Sequence, residues 1–257
     1  MLSLVDLIKA GTISLELAEE LTFVIARGGS FLTAAGPGGV GKTTLMGALL
    51  GLIPPCTEII AVEGRQALDS LERSQPDHRQ CLLVHEIGSG PYYSYLWGPL
   101  VGRYFGLRGP GRILASNLHA TTYAEARQTL TEEPLGVSPE DFRRIDLLAF
   151  MVREYGKRRV TSVWQRRRSG DGHEQTWRWQ PHSDSFNRTS PQADPPPQAD
   201  PPPRTDPPKT GPTPASAEQG SSTGPSLQLI RSFLEEALDE DCILLADLRE
   251  KALRRLF

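Results

Sequence analysis

The sequence predicts an α/β fold: a mainly parallel central sheet with helices on both faces, followed by a proline-rich linker and a helical tail. Three observations predict it. Short apolar runs of strand length alternate with segments of helical periodicity, the pattern of a parallel sheet covered on both sides. One strand–helix junction is the run Gly36-Pro37-Gly38-Gly39-Val40-Gly41-Lys42-Thr43-Thr44, which fits G-x-x-x-x-G-K-[ST]. Composition then changes near Asp184, beyond which more than half of the 22 prolines fall.

The elements follow in order. Ser3-Leu4-Val5-Asp6 has the form of a capping box and opens a short helix that Gly11 stops. Ser14 caps a second helix, with Leu17, Leu21, Val24 and Ile25 on one stripe and Gly28-Gly29 as its stop. Ser30 to Ala35 reads as a buried strand, and Thr44 to Leu50 as the helix after the loop. Pro54-Pro55 forces a break. Glu58 to Glu63 is a strand, Gln66 to Glu72 a helix and Pro76-Asp77 a turn. Cys81 to Glu86 and Arg112 to His119 are two further strands. Between them lie the aromatics of Tyr92-Tyr93-Ser94-Tyr95-Leu96-Trp97, read as packing or subunit contact rather than base stacking, and a helix carrying Leu100, Val101, Tyr104 and Phe105. Thr122 to Leu130 is helical, and Ser138-Pro139-Glu140-Asp141 starts another helix. Ile145 to Val152 is a buried strand or element. The basic turn Lys157-Arg158-Arg159 leads into an alternating strand, Val160 to Trp164, which Thr176 to Trp179 pairs antiparallel. Arg166-Arg167-Arg168 reads as a solvated strand end.

The repeat Gln192-Ala193-Asp194-Pro195-Pro196-Pro197, recurring at Gln198 to Pro203, has no residues from which to build a core. Beyond it, Leu227, Ile230, Phe233, Leu234, Ala237 and Leu238 line one helical face, and Ile243, Leu244, Leu245, Leu248, Ala252, Leu253 and Leu256 another. Each helix is too short to be stable alone, so the tail reads as a docking element for a partner or for the parent domain. The expected organisation is a helical lead-in (1–28), a nucleotide-binding domain (29–183), a linker (184–226) and an amphipathic tail (227–257).

Net charge is −3, which argues against direct nucleic-acid binding. Three well-separated cysteines suit a reducing compartment. The N-terminus lacks the basic region and apolar run of a secretory signal, and no apolar run approaches the ~18 residues of a membrane span. The expectation is a cytoplasmic protein, including one docked peripherally at the inner face of the cell membrane.

The chemistry gathers at the loop. Its glycines let backbone N–H groups turn inward on a polyphosphate. Lys42 reaches the β- and γ-phosphates of ATP, and the Thr43 hydroxyl can ligate Mg²⁺. In open α/β sheets ligands sit beyond the carboxyl ends of the strands, and there stand Glu63, Glu86 and His119.

The ordered set of motifs resembles the secretion-traffic ATPases: the motors of type II and type IV secretion, of type IV and tight-adherence pili, and of archaeal flagella. The resemblance runs from about Leu4 to Trp179. Ile60-Ala61-Val62-Glu63 looks like that family's acidic box, Leu83-Val84-His85-Glu86-Ile87 like its Walker B region, and Asn117-Leu118-His119-Ala120-Thr121 like its histidine box. It implies a RecA-like domain in a hexameric ring that hydrolyses ATP beside an inner-membrane secretion or pilus platform protein. Carried over, Glu63 positions the attacking water, Glu86 orients the Mg²⁺ shell through water, and His119 senses the γ-phosphate. The chain departs from the family at Gly64, where an aspartate is usual, and at Ile87-Gly88-Ser89-Gly90, which lacks an arginine. Only 35 residues precede Gly36, where the family carries a whole N-terminal domain that donates arginines. Arg103, Arg108 and Arg112 are the candidates for an arginine finger.

The leading expectation is an ATPase motor subunit. The alternative is a nucleotide-binding assembly or regulatory subunit with weak or no hydrolysis, docking a partner through its C-terminal helices. A partition-type ATPase is disfavoured by Pro37, where that family places a lysine, and by the histidine box.

Overall fold

The lead-in helices form where their caps predict. Helix α1 (Leu4–Lys9) begins at a complete Ser3–Asp6 capping box, and α2 (Leu15–Ile25) begins at Ser14, whose hydroxyl accepts from the Leu17 N–H. The computed structural model describes residues 2–36, 38–90, 94–167, 172–189, 224–240 and 245–257. Pro37, Tyr92, Tyr93, Arg168, most of the proline-rich linker, and Ile243 and Leu244 lie outside the described residues.

The chain then alternates. Strand β1 (Phe31–Ala35) leads through the loop to α3 (Lys42–Leu50); β2 (Glu58–Ala61) is followed by α4 (Gly64–Arg73) and β3 (Gln80–Ile87). Next come β4 (Tyr95–Leu96), α5 (Pro99–Gly106), β5 (Arg112–His119), α6 (Tyr123–Thr131) and α7 (Pro139–Arg143). Strands β6 (Leu147–Glu154), β7 (Lys157–Arg166), β8 (His173–Gln180) and β9 (Ser185–Arg188) complete the sheet, and α8 (Leu227–Asp239) and α9 (Leu245–Arg255) form the tail. The order across the sheet is β2-β3-β5-β1-β6-β7-β8-β9, with β4 added to β3. Strands β2, β3, β5, β1 and β6 run parallel; β7 to β9 are antiparallel.

The pleat divides the apolar side chains into two cores. Phe31 and Ala35 of β1 face α1, α2, α3 and the tail, while Leu32 and Ala34 face α4 to α7. Burial on both faces is why the parallel strands read as continuous apolar runs. Glu20 of α2 ties the first layer to the antiparallel end, accepting from Gln165, from the Trp177 indole at 2.9 Å and from Arg188.

The tail's apolar face is covered by the chain itself: of the two expected occupants, a partner or the parent domain, the parent domain lies against it. Ile230, Phe233, Leu234 and Ala237 join the core over α1 and α2, with Leu248 and Ala252 beside them, and Arg231 pairs with Glu19 at 3.3 Å. Arg249 of α9 donates to the carbonyls of Gly51, Ile53 and Pro54, just past the end of α3. A cation there complements the negative end of that helix's dipole.

Candidate functional site

Register places the site. The pairing Ala35↔His119 brings His119 beside Gly36, where the loop leaves β1. Between Val84 and Ile87 the β3–β5 register shifts by one residue, a bulge at His85-Glu86. A bulge re-aims its side chains, and here Glu86 turns toward the loop, buried at 4% exposure. Its Oε1 stands 3.3 Å from Lys42 Nζ and 3.7 Å from His119 Nε2. His119 Nδ1 lies 2.7 Å from the Gly36 carbonyl and 3.2 Å from Lys42 Nζ. That carbonyl can only accept, so Nδ1 carries the proton, and the lysine approach is a contact rather than a hydrogen bond. Lys42, itself nearly buried, is therefore held chiefly as the counter-ion of Glu86.

A buried polar chain fixes this corner. The Thr33 hydroxyl on β1 bonds to Asn117 Oδ1 on β5, and Asn117 Nδ2 donates to the His85 carbonyl at the bulge at 2.7 Å. Thr33 Oγ1 also lies 3.3 Å from the Lys42 carbonyl. Three strands and the start of α3 are thus tied together through the fully buried side chains of Thr33 and Asn117, where a missing partner is expensive.

The loop and strand ends line an open cavity of about 590 Å³, with Gly38, Gly39, Val40, Gly41, Lys42, Thr43 and Thr44 along one wall. Glu86, His119, His85 and Tyr95 stand at the cavity, as do Leu2, Leu7, Thr12, Met151 and the turn Gly156-Lys157-Arg158. Gly39 and Gly41 have φ of +76° and +117°, which only glycine adopts without strain, and an added Cβ at Gly38 or Gly39 would meet nothing within 4 Å. The loop is thus an open cradle at the N-terminus of α3, whose first N–H groups have no intrahelical partner. Glu86 Oε1 is buried without an aligned hydrogen bond and is faced by the Lys42 ammonium at 3.3 Å, so a hydrated cation can take that place once the lysine turns to phosphate. These residues fit a Mg²⁺-bound nucleoside triphosphate. Among the described residues no cluster of three His, Cys, Asp or Glu side chains would cage a metal alone, and Mg²⁺ ordinarily relies on substrate phosphates for its remaining ligands.

Of the expected site residues, the structure brings together Gly36, Lys42, Thr43, Glu86 and His119. It does not bring Glu63 among them. Glu63 is exposed at the N-cap of α4, with no side-chain capping bond. It follows edge strand β2, three strand positions from β1, or roughly 14 Å across the sheet at the usual spacing. The three expected finger arginines are engaged elsewhere: Arg103 with Asp69 and Glu72, Arg108 with Asp146 at 3.1 Å, and Arg112 with the Leu71 and Ser74 carbonyls. Tyr95 stacks on His85 at 5.8 Å between centroids, an arrangement for which the linear sequence held no signal beyond the aromatic cluster.

No protein-family model and no curated protein matches the chain. Among solved structures it is similar to the VirB11 ATPase of the Brucella suis type IV secretion system, solved with sulphate, at 19% identity and a TM-score of 0.39. The likeness covers 59% of this chain and 50% of that one, so the chain spans about half the length of that protein. At that level the likeness carries no weight for function. Among the described residues no helix is long and apolar enough to cross a membrane.

Proposed function

We propose that this chain is an ATP-binding and hydrolysing motor subunit of the type II/type IV secretion or pilus kind, working as a hexameric ring at a membrane platform protein. The convergence of Lys42, Glu86 and His119 on one phosphate-binding loop carries the proposal. Backbone N–H groups of Gly38 to Thr44 cradle the phosphates. Lys42 would turn from Glu86 to the β/γ-phosphates when the substrate enters, leaving the Glu86 carboxylate as the group that would hold a hydrated metal ion. Mg²⁺, held by Thr43 and through water by Glu86, would supply charge neutralisation at the transferring phosphoryl group. His119, held through Nδ1 on the Gly36 carbonyl, would sense the γ-phosphate by donating from Nε2 once that nitrogen also carries a proton.

The placement of Glu63 favours the second reading, a nucleotide-binding assembly or regulatory subunit with weak hydrolysis, unless a neighbouring subunit closes that side. Phosphate release from Mg-ATP by the wild type, by Lys42→Ala and by Glu86→Gln separates the two. The motor reading expects turnover in the wild type, loss of binding in Lys42→Ala, and retained binding without turnover in Glu86→Gln. A wild type that binds ATP, stays folded and releases no phosphate sinks the motor reading and leaves the second. A mass measurement with a non-hydrolysable analogue tests the ring: a strict monomer at high concentration refutes it.

A further inference from the structure

We infer that Arg158 is a second phosphate-binding cation of the site, reaching the loop from the β6–β7 turn; this rests on the proposed nucleotide function. The turn carries three consecutive cations, and the structure separates them. Arg159 is buried and grips Asp184 with both Nε and Nη2 at 2.7 Å, and Lys157 Nζ pairs with the same carboxylate at 3.3 Å. Asp184 also accepts from the Trp179 indole, and these partners, Arg159 foremost, hold its carboxyl well below the usual range. The turn is thereby anchored. Arg158 is left over: it is exposed, and among the described residues its guanidinium has neither an ion pair nor a hydrogen bond.

Its stem nevertheless lies on the loop. A Cβ built at Gly41 would stand 3.2 Å from Arg158 Cδ and 3.7 Å from its Nε. Gly41 is the N-cap of α3, so the end of the Arg158 stem and its Nε lie against the residue that opens that helix. Strand order gives the two cations opposite sides. Lys42 leans toward Glu86 and His119, at the ends of β3 and β5 on one flank of β1, whereas Arg158 comes from β6 and β7 on the other. Glu86 neutralises Lys42; among the described residues no carboxylate neutralises Arg158. A polyphosphate in the cradle brings several negative charges where one committed lysine waits, and a free guanidinium offers a planar fork of donors to phosphate oxygens. Arg103, Arg108 and Arg112 have no such freedom. The geometry therefore points to Arg158 as an arginine supplied by the same chain, acting in binding of the phosphate chain.

Calorimetry of Mg-ATP and Mg-ADP binding to the full chain tests this, using wild type, Lys42→Ala, Arg158→Gln and Arg158→Lys. A charge-assisted bond of ordinary strength predicts about 10- to 100-fold weaker binding of both nucleotides in Arg158→Gln. Partial recovery is expected in Arg158→Lys, with nucleotide-free melting temperatures unchanged because the side chain has no partner to lose. If Lys42→Ala loses binding while Arg158→Gln binds as the wild type does, the role of Arg158 is refuted and the nucleotide site stands. If the wild type binds neither nucleotide, the proposed function falls and this inference with it.

Discussion

His173 makes the structure's pH dependence calculable. It is wholly buried on β8, packed edge-on against Tyr123 at 5.6 Å and beside Phe142. Its Nε2 lies 2.7 Å from the Ile145 carbonyl and so must be the donor, which leaves Nδ1 to accept from the Tyr123 hydroxyl at 3.1 Å. A neutral ring satisfies both partners; a protonated one must hold its charge away from water, with the Tyr123 hydroxyl turned from donor to acceptor. Burial is the main cause that brings its pKa down from 6.5 to about 4; the Ile145 carbonyl and Asp146 oppose it, and Arg166 and Arg127 add to it. The unfolded chain thus binds a proton between those values that the folded chain refuses. Stability from this group is complete above about pH 7 and is lost as pH falls. Linkage gives a loss of about 2 kcal/mol by pH 5 and about 3 kcal/mol by pH 4. Urea unfolding of wild type and His173→Gln at pH 7.5, 6, 5 and 4 isolates it, because carboxylates common to both proteins cancel in the difference. The variant should be the less stable at pH 7.5, with the gap closing by about those amounts on acidification. A gap that stays constant with pH refutes the neutral-histidine argument, whatever the variant costs at neutrality.

Two further outcomes follow from the docked tail. Phe233→Ala empties a 1%-exposed site between α8 and the sheet-facing core and should cost about 3–5 kcal/mol in urea unfolding; no loss would mean that the tail is not packed as described. Arg249→Met keeps the stem but orphans the carbonyls at the end of α3. It should cost about 1–3 kcal/mol, read as a lowered urea midpoint.

Where local chemistry suffices, the sequence was readable. The strand Arg112–His119 coincides with β5, and Ser138 caps α7 through the Asp141 N–H. Glu86 and His119 stand at strand ends as the alternation of strands and helices requires. What stayed hidden depends on distant pairing. The bulge that turns Glu86 inward exists only against β5. Strand β9 is too short and polar to show a period, and it persists because β8 pairs with it. An amphipathic tail announces that something must cover it, not what does. Arg158 and Arg249 look like solvated charges in the sequence; their neighbours come from elements far along the chain. His173 precedes the stretch that alternates visibly, so its burial left no local trace. Glu63 shows the opposite failure: a motif position places a residue at a strand end, but strand order decides how far that end lies from the loop.

The docked tail also sets an order of events during synthesis. Arg27, at the end of the α2 segment, meets the Pro225 carbonyl 198 residues later, just before α8 begins. At ribosomal rates of 5–20 residues per second, about 10–40 seconds separate the emergence of the two. Throughout that interval Leu17, Leu21 and the rest of the α2 face have no cover from α8. The α2 face that α8 covers therefore stays open until α8 itself has been made, and that interval is a window for misassembly on this face.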